Sequence, residues 1–357
     1  MVNDKDGAIT SRIASPQKQA PSTGWPHRHL ATCALLVLAL LVACIPLLPF
    51  ANSYLVALVV RALLLIALGQ AWNIIAGIGG QMSLGHGVFL GIGAYATGLL
   101  FNDFGITPWI GAWAAAVIAA AVAFIIGIIA FRLRGIYFAL ATVVISLAFE
   151  KLTRYYAALT GGDTGLAIHF RGTAPAVMQW REPQAFLWMT LVMVVVYFLI
   201  TRWLLRGDFG LALQAVRDDE EAASASGVSV YRTKILAFLL SAVMTSLAGT
   251  LHLQFYSSID PGTAFGLSQA IQIQLPALIG GLATAGGPVI GGVIMILLSE
   301  GTNIVSARLG LPGVDILAYG LVLLFIVFKA PSGVLGLLHS RRRGQRGAEG
   351  PVSKGSH

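Results

Sequence analysis

The chain has 357 residues, of which 57% are apolar and only 11% charged, whereas a soluble domain carries about 25% charged residues. Mean hydropathy is +0.80, and the formal net charge is +8. These figures exclude a disordered chain, a nucleic-acid module and an ordinary cytosolic enzyme, and they leave an integral membrane protein. The apolar runs are long and do not alternate, so they read as helices and not as barrel strands. The expected fold is all-α, a polytopic helical membrane protein.

In chain order, residues 1–28 are polar and without periodicity, and read as a disordered tail. A window of about twenty apolar residues then marks candidate spans at 30–50, 54–75, 82–101, 109–131 and 136–152. A second group follows at 185–205, 233–255, 270–283, 288–299 and 314–328. Residues 339–357 form a basic, aperiodic tail, leaving 29–338 as the transmembrane domain. The eighth and ninth windows are short, and Gly280-Gly281 and Gly286-Gly287 near their junction suggest a broken or re-entrant arrangement. Cys33 and Cys44 lie in the first apolar run and read as small hydrophobes.

Lys and Arg placement sets orientation. With the N-terminus inside, the cytoplasmic segments hold seventeen, against five outside: Lys151, Arg154, Arg171, Arg181 and Arg308. Both termini are therefore expected in the cytoplasm, the span number is even, and the basic tail faces anionic lipid, not nucleic acid. The longest external loop is 154–183 and the longest internal connection is 206–232.

Reactive constellations are missing. There is no G-x-x-x-x-G-K-[ST] phosphate loop, no H-E-x-x-H, no G-x-S-x-G, no metal set and no paired carboxylates within a span. A membrane enzyme or a self-powered ATPase is hard to build from this inventory. A gradient-driven transporter or channel stays open as an alternative.

Within 206–232, Asp218, Asp219, Glu220, Glu221, Ala222, Ala223 and Gly227 read as one short helix. Asp218 and Glu221 have capping-box spacing, the acids sit at the positive end of the dipole, and Gly227 suits a left-handed stop. Two turns are too few for stability in water. With no apolar stripe of its own, such a helix is either an interaction element or a capped turn on the membrane surface. Glu221-Ala222-Ala223-x-x-x-Gly227 also matches the EAA-x-x-x-G motif of ABC importer permeases, whose loop forms the helix that docks into the ATPase.

Further residues are candidates for a translocation route. Gly87 and Gly91 have small-xxx-small spacing, and Gly93 and Thr97 continue it, as close packing or as a sliding surface. Gln70 and Asn73 share a helix face, and Gln81 and Ser83 follow near the inner boundary. Polar groups at such depth face the bundle or a water-filled path. His86 and His252 are either packed histidines or gate residues. Arg61 lies about seven residues, or ~10 Å, inside the second window; it snorkels, pairs within the bundle, or meets a substrate carboxylate. Gly161-Gly162-Asp163-Thr164-Gly165 is a turn carrying an acid that a soluble partner could read.

Gly79-Gly80-Gln81-Met82-Ser83-Leu84-Gly85-His86-Gly87, running on to Gly91-Ile92-Gly93-Ala94-Tyr95, resembles the third-helix signature of LivM-type permeases of branched-chain amino acid ABC importers. The stretch 213–237, Pro276-Ala277-Leu278-Ile279-Gly280-Gly281 and Gly286-Gly287-Pro288 are similar to the same family, so the likeness covers about residues 55–335. It implies a type II importer permease fold of about ten helices, in which the second to fifth and seventh to tenth spans are internal repeats. It further implies a LivH-like second permease subunit, two ABC ATPase subunits that bind ATP and Mg, and a periplasmic substrate-binding protein. No cofactor is expected on this chain. The implied place is the bacterial inner membrane, and the implied cargo is leucine, isoleucine, valine or a similar small polar solute; urea and short-amide permeases look much alike.

Overall fold

The computed structural model describes residues 41–44, 52–133, 135–309, 320–321 and 333–334. Eight of the ten candidate windows fall on described helices. The first and last windows and both tails lie outside the described residues, apart from 41–44 and 320–321.

Local chemistry sets the helix ends. Helix α1, Ser53–Asn73, starts where Asn52 Oδ1 accepts from the Leu55 N–H at 2.8 Å, a side-chain cap on an otherwise orphaned donor. It continues into a π-helical turn, Ile74–Ile78. Helix α2, His86–Phe104, stops at Gly105 with φ of +67°. Proline at the first turn opens α3, Pro108–Ala130. Helix α4 is Ile136–Tyr155, the short α5 is Ala157–Thr160, and α6 is Gln184–Leu204. Two polar-surface helices follow, α7, Asp208–Asp218, and α8, Glu220–Ala225. The longest helix, α9, Val230–Tyr256, leads to α10, Pro261–Phe265, α11, Leu267–Gly280, and α12, Gly287–Leu309.

Six of these helices are long and apolar enough to cross a membrane. The chain is a polytopic helical membrane protein. Two-thirds of α1 and α9 is buried within the chain, against about a fifth of α4 and α12. Helices α1, α2 and α9 therefore make the centre, and α3, α4, α6 and α12 pack around them. The outer helices leave apolar side chains uncovered, such as Val117, Phe124 and Ile125 on α3 and Val144 and Leu147 on α4. In water such a surface is an aggregation liability; in lipid it costs nothing.

The ninth window is longer than expected, a 23-residue helix in place of twelve residues. The eighth is a 14-residue helix preceded by α10, which folds back into the bundle against α2 and α4. The break expected in this region falls at Gly266 as well as at 281–286. At one end of the bundle, strands β1, Leu166–Ala167, and β2, Ser258–Ile259, pair antiparallel with Leu166 opposite Ile259. The connection 154–183 holds the short α5, beside turns and β1.

Candidate coupling and translocation site

Helices α7 and α8 sit together at the opposite end of the bundle from the β1–β2 pair. Helix α7 buries Gly210, Leu213 and Val216 and exposes Leu211, Arg217 and Asp218. Its Leu213 side chain lies against Gly79, and its Arg217 side chain lies against Gly80, whose φ of +69° keeps a side chain from competing for the space. Arg217 Nη1 donates to the Gly77 carbonyl at 3.4 Å. Helix α7 therefore rests directly on the π turn and Gly79-Gly80 that end α1.

Helix α8 begins one residue later than the capping-box spacing predicts. Asp218 ends α7 and its carboxylate accepts from Arg217 Nε and Nη2 at 3.0 and 2.9 Å. The cap is Asp219, in an extended conformation, whose Oδ1 accepts from the Glu221 and Ala222 N–H groups at 2.8 and 3.0 Å. Glu220 and Glu221 fill the first turn, Ala223 is buried, and Ala222 is exposed. Gly227 takes φ of +87°, the expected left-handed stop, and Val228 N–H closes back on the Ala223 carbonyl at 3.0 Å. Glu220 Oε1 accepts from Lys234 Nζ of α9 at 2.5 Å.

The eight residues expected along a route, Gln70, Asn73, Gln81, Ser83, His86, Gly87, Gly91 and Gly93, are all buried within this one chain. Asn73 joins the end of α1 to the α11–α12 connection: its Nδ2 donates to the Thr284 carbonyl and its Oδ1 accepts from the Ala283 N–H, both at 3.0 Å. Gln70, one turn away, has neither amide atom hydrogen-bonded. Gln81 N–H bonds the Ile75 carbonyl at 3.0 Å and holds the chain as it leaves the π turn. Ser83 is fixed by Trp72 Nε1, which donates to its carbonyl at 2.7 Å.

His86 is packed and fully bonded. Nε2 lies 2.8 Å from Ser241 Oγ, and that hydroxyl donates to the Ala71 carbonyl at 2.6 Å. Ser241 has one hydrogen to give, so it accepts from Nε2–H, and Nδ1 accepts from the Ser83 hydroxyl at 3.1 Å. The ring meets Phe89 and Phe238 edge-on. The glycines mark close approach: a Cβ on Gly87 would stand 2.8 Å from the Ala264 carbonyl oxygen, one on Gly91 would enter the Phe265 ring, and one on Gly93 would fall on the Ser246 carbonyl.

Other candidates lie apart. Arg61 is exposed, with its guanidinium over the Tyr256 ring at 5.9 Å from the centroid. His252 packs on the same ring, and its Nδ1 is buried without a partner. Asp163 is ion-paired with Arg154, which also binds Glu150 at 2.9 Å. Among the described residues no group of histidine, cysteine or carboxylate could hold a metal.

A family model described as "Branched-chain amino acid transport system / permease component" matches residues 54–329. The chain belongs to this permease family. It is 29% identical over 263 residues to the high-affinity branched-chain amino acid transport system permease protein LivM of Escherichia coli K12, covering 66% of this chain and 60% of the relative. The same transport system's permease protein LivH of Salmonella typhimurium is 28% identical over 286 residues, covering 76% of this chain and 90% of that protein. A probable LivM protein of Methanocaldococcus jannaschii is 22% identical over 296 residues, 75% of this chain and 84% of the relative. The match thus spans only 60% of the bacterial LivM relative's length. No solved structure matches significantly.

The permease also has functional-end residues that sequence reasoning passed over. Leu213 and Val216, at i and i+3, carried the signal for α7, but eleven residues between two spans read as loop. Lys234 counted only as a topology charge, since its partner lies fourteen residues away across a turn. Thr284 and Ser241 gave no sequence signal at all.

Proposed function

We propose that this chain is a permease subunit of an ABC importer in the bacterial inner membrane. It moves branched-chain amino acids, or a similar small polar solute, by alternating access. It pairs with a LivH-like permease, rests on two ATPase subunits that bind ATP and Mg, and receives solute from a periplasmic binding protein. The chain performs no bond chemistry and holds no cofactor. The observation that carries this reading is the Glu221-Ala222-Ala223-x-x-x-Gly227 element of α8 packed on α7, whose Leu213 and Arg217 in turn seat on the end of the central helix α1. A helix of six residues with one buried side chain is mechanically useful only when something outside grips it. The α7–α8 end is then cytoplasmic and the β1–β2 end periplasmic.

The test is reconstitution with the neighbouring permease, ATPase and binding-protein subunits in proteoliposomes, comparing ATP-dependent uptake of leucine, urea and a short amide. Leucine uptake that needs both nucleotide and companions is expected. Uptake by this chain alone, without nucleotide, would refute the reading, and a preference for urea or amide would reassign the cargo.

A further inference from the structure

Lys234 is a buried cation whose ion-pair partner sits on the short surface helix α8. Its side chain is 3% exposed, while that of Glu220 is 30% exposed. The ammonium stands 6.0 Å from the centroid of the Phe131 ring, at the inner end of α3. Phe131 stacks on Phe138 and meets Phe238 edge-on, and Phe238 in turn meets Phe89 and His86. A buried ammonium beside an aromatic ring costs desolvation energy, which a carboxylate bonded to it offsets. Among the described residues, Glu220 is the one carboxylate it has.

We propose that Lys234–Glu220 is a latch that makes α8 and α9 move as one body, so that displacement of α8 reaches the bundle centre. This rests on the importer reading above and names the residue that transmits the motion. Without the latch α8 keeps its own fold, since the Asp219 cap and the Gly227 stop are local. It keeps its contact with α7. What is lost is the charge-assisted bond to the central helix, which lies beside the ring cluster around His86. Arg217 and Leu213 of α7 touch the end of α1 instead, so the two attachments act on different helices. Lys234 is thus a positioning residue.

The experiment measures solute moved per ATP hydrolysed in the reconstituted full complex, for Glu220→Gln, for Lys234→Met and for the exchanged pair Lys234→Glu/Glu220→Lys. Glu220 is partly open to water, so Glu220→Gln should accumulate like the parent. Its uptake per ATP should fall roughly fivefold or more, the lower range of coupling between linked sites. The exchanged pair should recover part of that loss. An unchanged ratio in Glu220→Gln, or no recovery in an exchanged pair that assembles, would overturn the latch. If the parent complex itself shows no ATP-dependent uptake, it is the importer reading that fails.

Discussion

Replacing Asn73 by alanine tests whether the end of α1 is tied to the α11–α12 connection as the structure shows. The side chain is fully buried and spans from the end of α1 to the 281–286 connection with two bonds of 3.0 Å. Hydrogen bonds between helices in a membrane are worth about 0.6 kcal/mol on average and up to about 1.7. Removing one partner also strands the Ala283 N–H and the Thr284 carbonyl, at about 1–3 kcal/mol for a buried unmet group. Ala283 has φ of +58°, and a residue with a Cβ resists that region by about 1–2 kcal/mol. The Asn73 bond to its N–H helps hold it there. Asn73→Ala should therefore destabilise the purified complex by about 2–3 kcal/mol in all, within those ranges. Asn73→Asp should fare no better, since it keeps the acceptor for Ala283 and turns a carboxylate on the Thr284 carbonyl. Ala283→Gly in the Asn73→Ala background should return about 1 kcal/mol by removing the strain. Thermal unfolding of the detergent-purified complex reads all three. A melting curve for Asn73→Ala that overlays the parent's would refute the argument.

Three other outcomes follow from single contacts. Gly93→Leu should remove the protein from the membrane fraction, because even a Cβ meets the Ser246 backbone, and backbone cannot rotate aside; membrane abundance by immunoblot checks this, and normal abundance would contradict the packing. Glu221→Arg, on the exposed first turn of α8, should leave insertion intact while abolishing ATPase association and uptake; co-purification of the ATPase at the parent level would count against the docking role. Asp260 caps α10: burial opposes its charge, but bonds from the Thr263 hydroxyl and from backbone N–H groups of Thr263 and Gly262 outweigh this and hold its carboxyl below the usual range. Its contribution is therefore present above the unfolded carboxylate pKa and is lost as pH falls through the lower folded value. Melting temperature between neutral and acid pH should show that loss in the parent and less of it in Asp260→Asn.

Legibility of the fold followed burial chemistry. Long apolar windows located eight helices to within a few residues at most ends, because in lipid every backbone group must be satisfied within the segment and nothing else competes. The ninth window ended early because Ser299, Glu300, Thr302 and Asn303 lower the apolar count, yet α12 runs through them, with Tyr54 bonded to Glu300. In the α7–α8 region the pattern misplaced the cap by one residue for a definite reason. Asp218 has a glutamate three residues on and Asp219 has alanine, so spacing favoured Asp218. The amphipathic α7, anchored by Leu213 and Val216, extends far enough to claim Asp218 for its own last turn. The apolar anchor of this region lies in α7, ahead of the glycine, in the buried Leu213 and Val216. Of the route candidates, sequence supplied the residues but not their partners, since Ser83, His86, Ser241 and Ala71 meet only across 170 positions.

The two ends of the bundle differ in how they are tied, and this difference has mechanical meaning. At the β1–β2 end one long connection is stitched to helix ends: Asn102 Nδ2 of α2 donates to the Ala167 carbonyl at 2.9 Å, Arg171 donates to the Phe101 carbonyl of α2 at 2.9 Å, and Ser53 of α1 donates to Glu182 at 3.0 Å. These bonds tie α1 and α2 to the same connection and resist their separation. At the α7–α8 end, α1 finishes in the π turn 74–78 and Gly79-Gly80, α11 is separated from α12 by 281–286, and one amide side chain bridges the two places. A helix end built of a π turn and a left-handed glycine has fewer regular backbone bonds to break when it shifts. Force applied through α7 or α8 thus arrives where the bundle is least continuous, and the stitched end serves as the fixed point against which it acts.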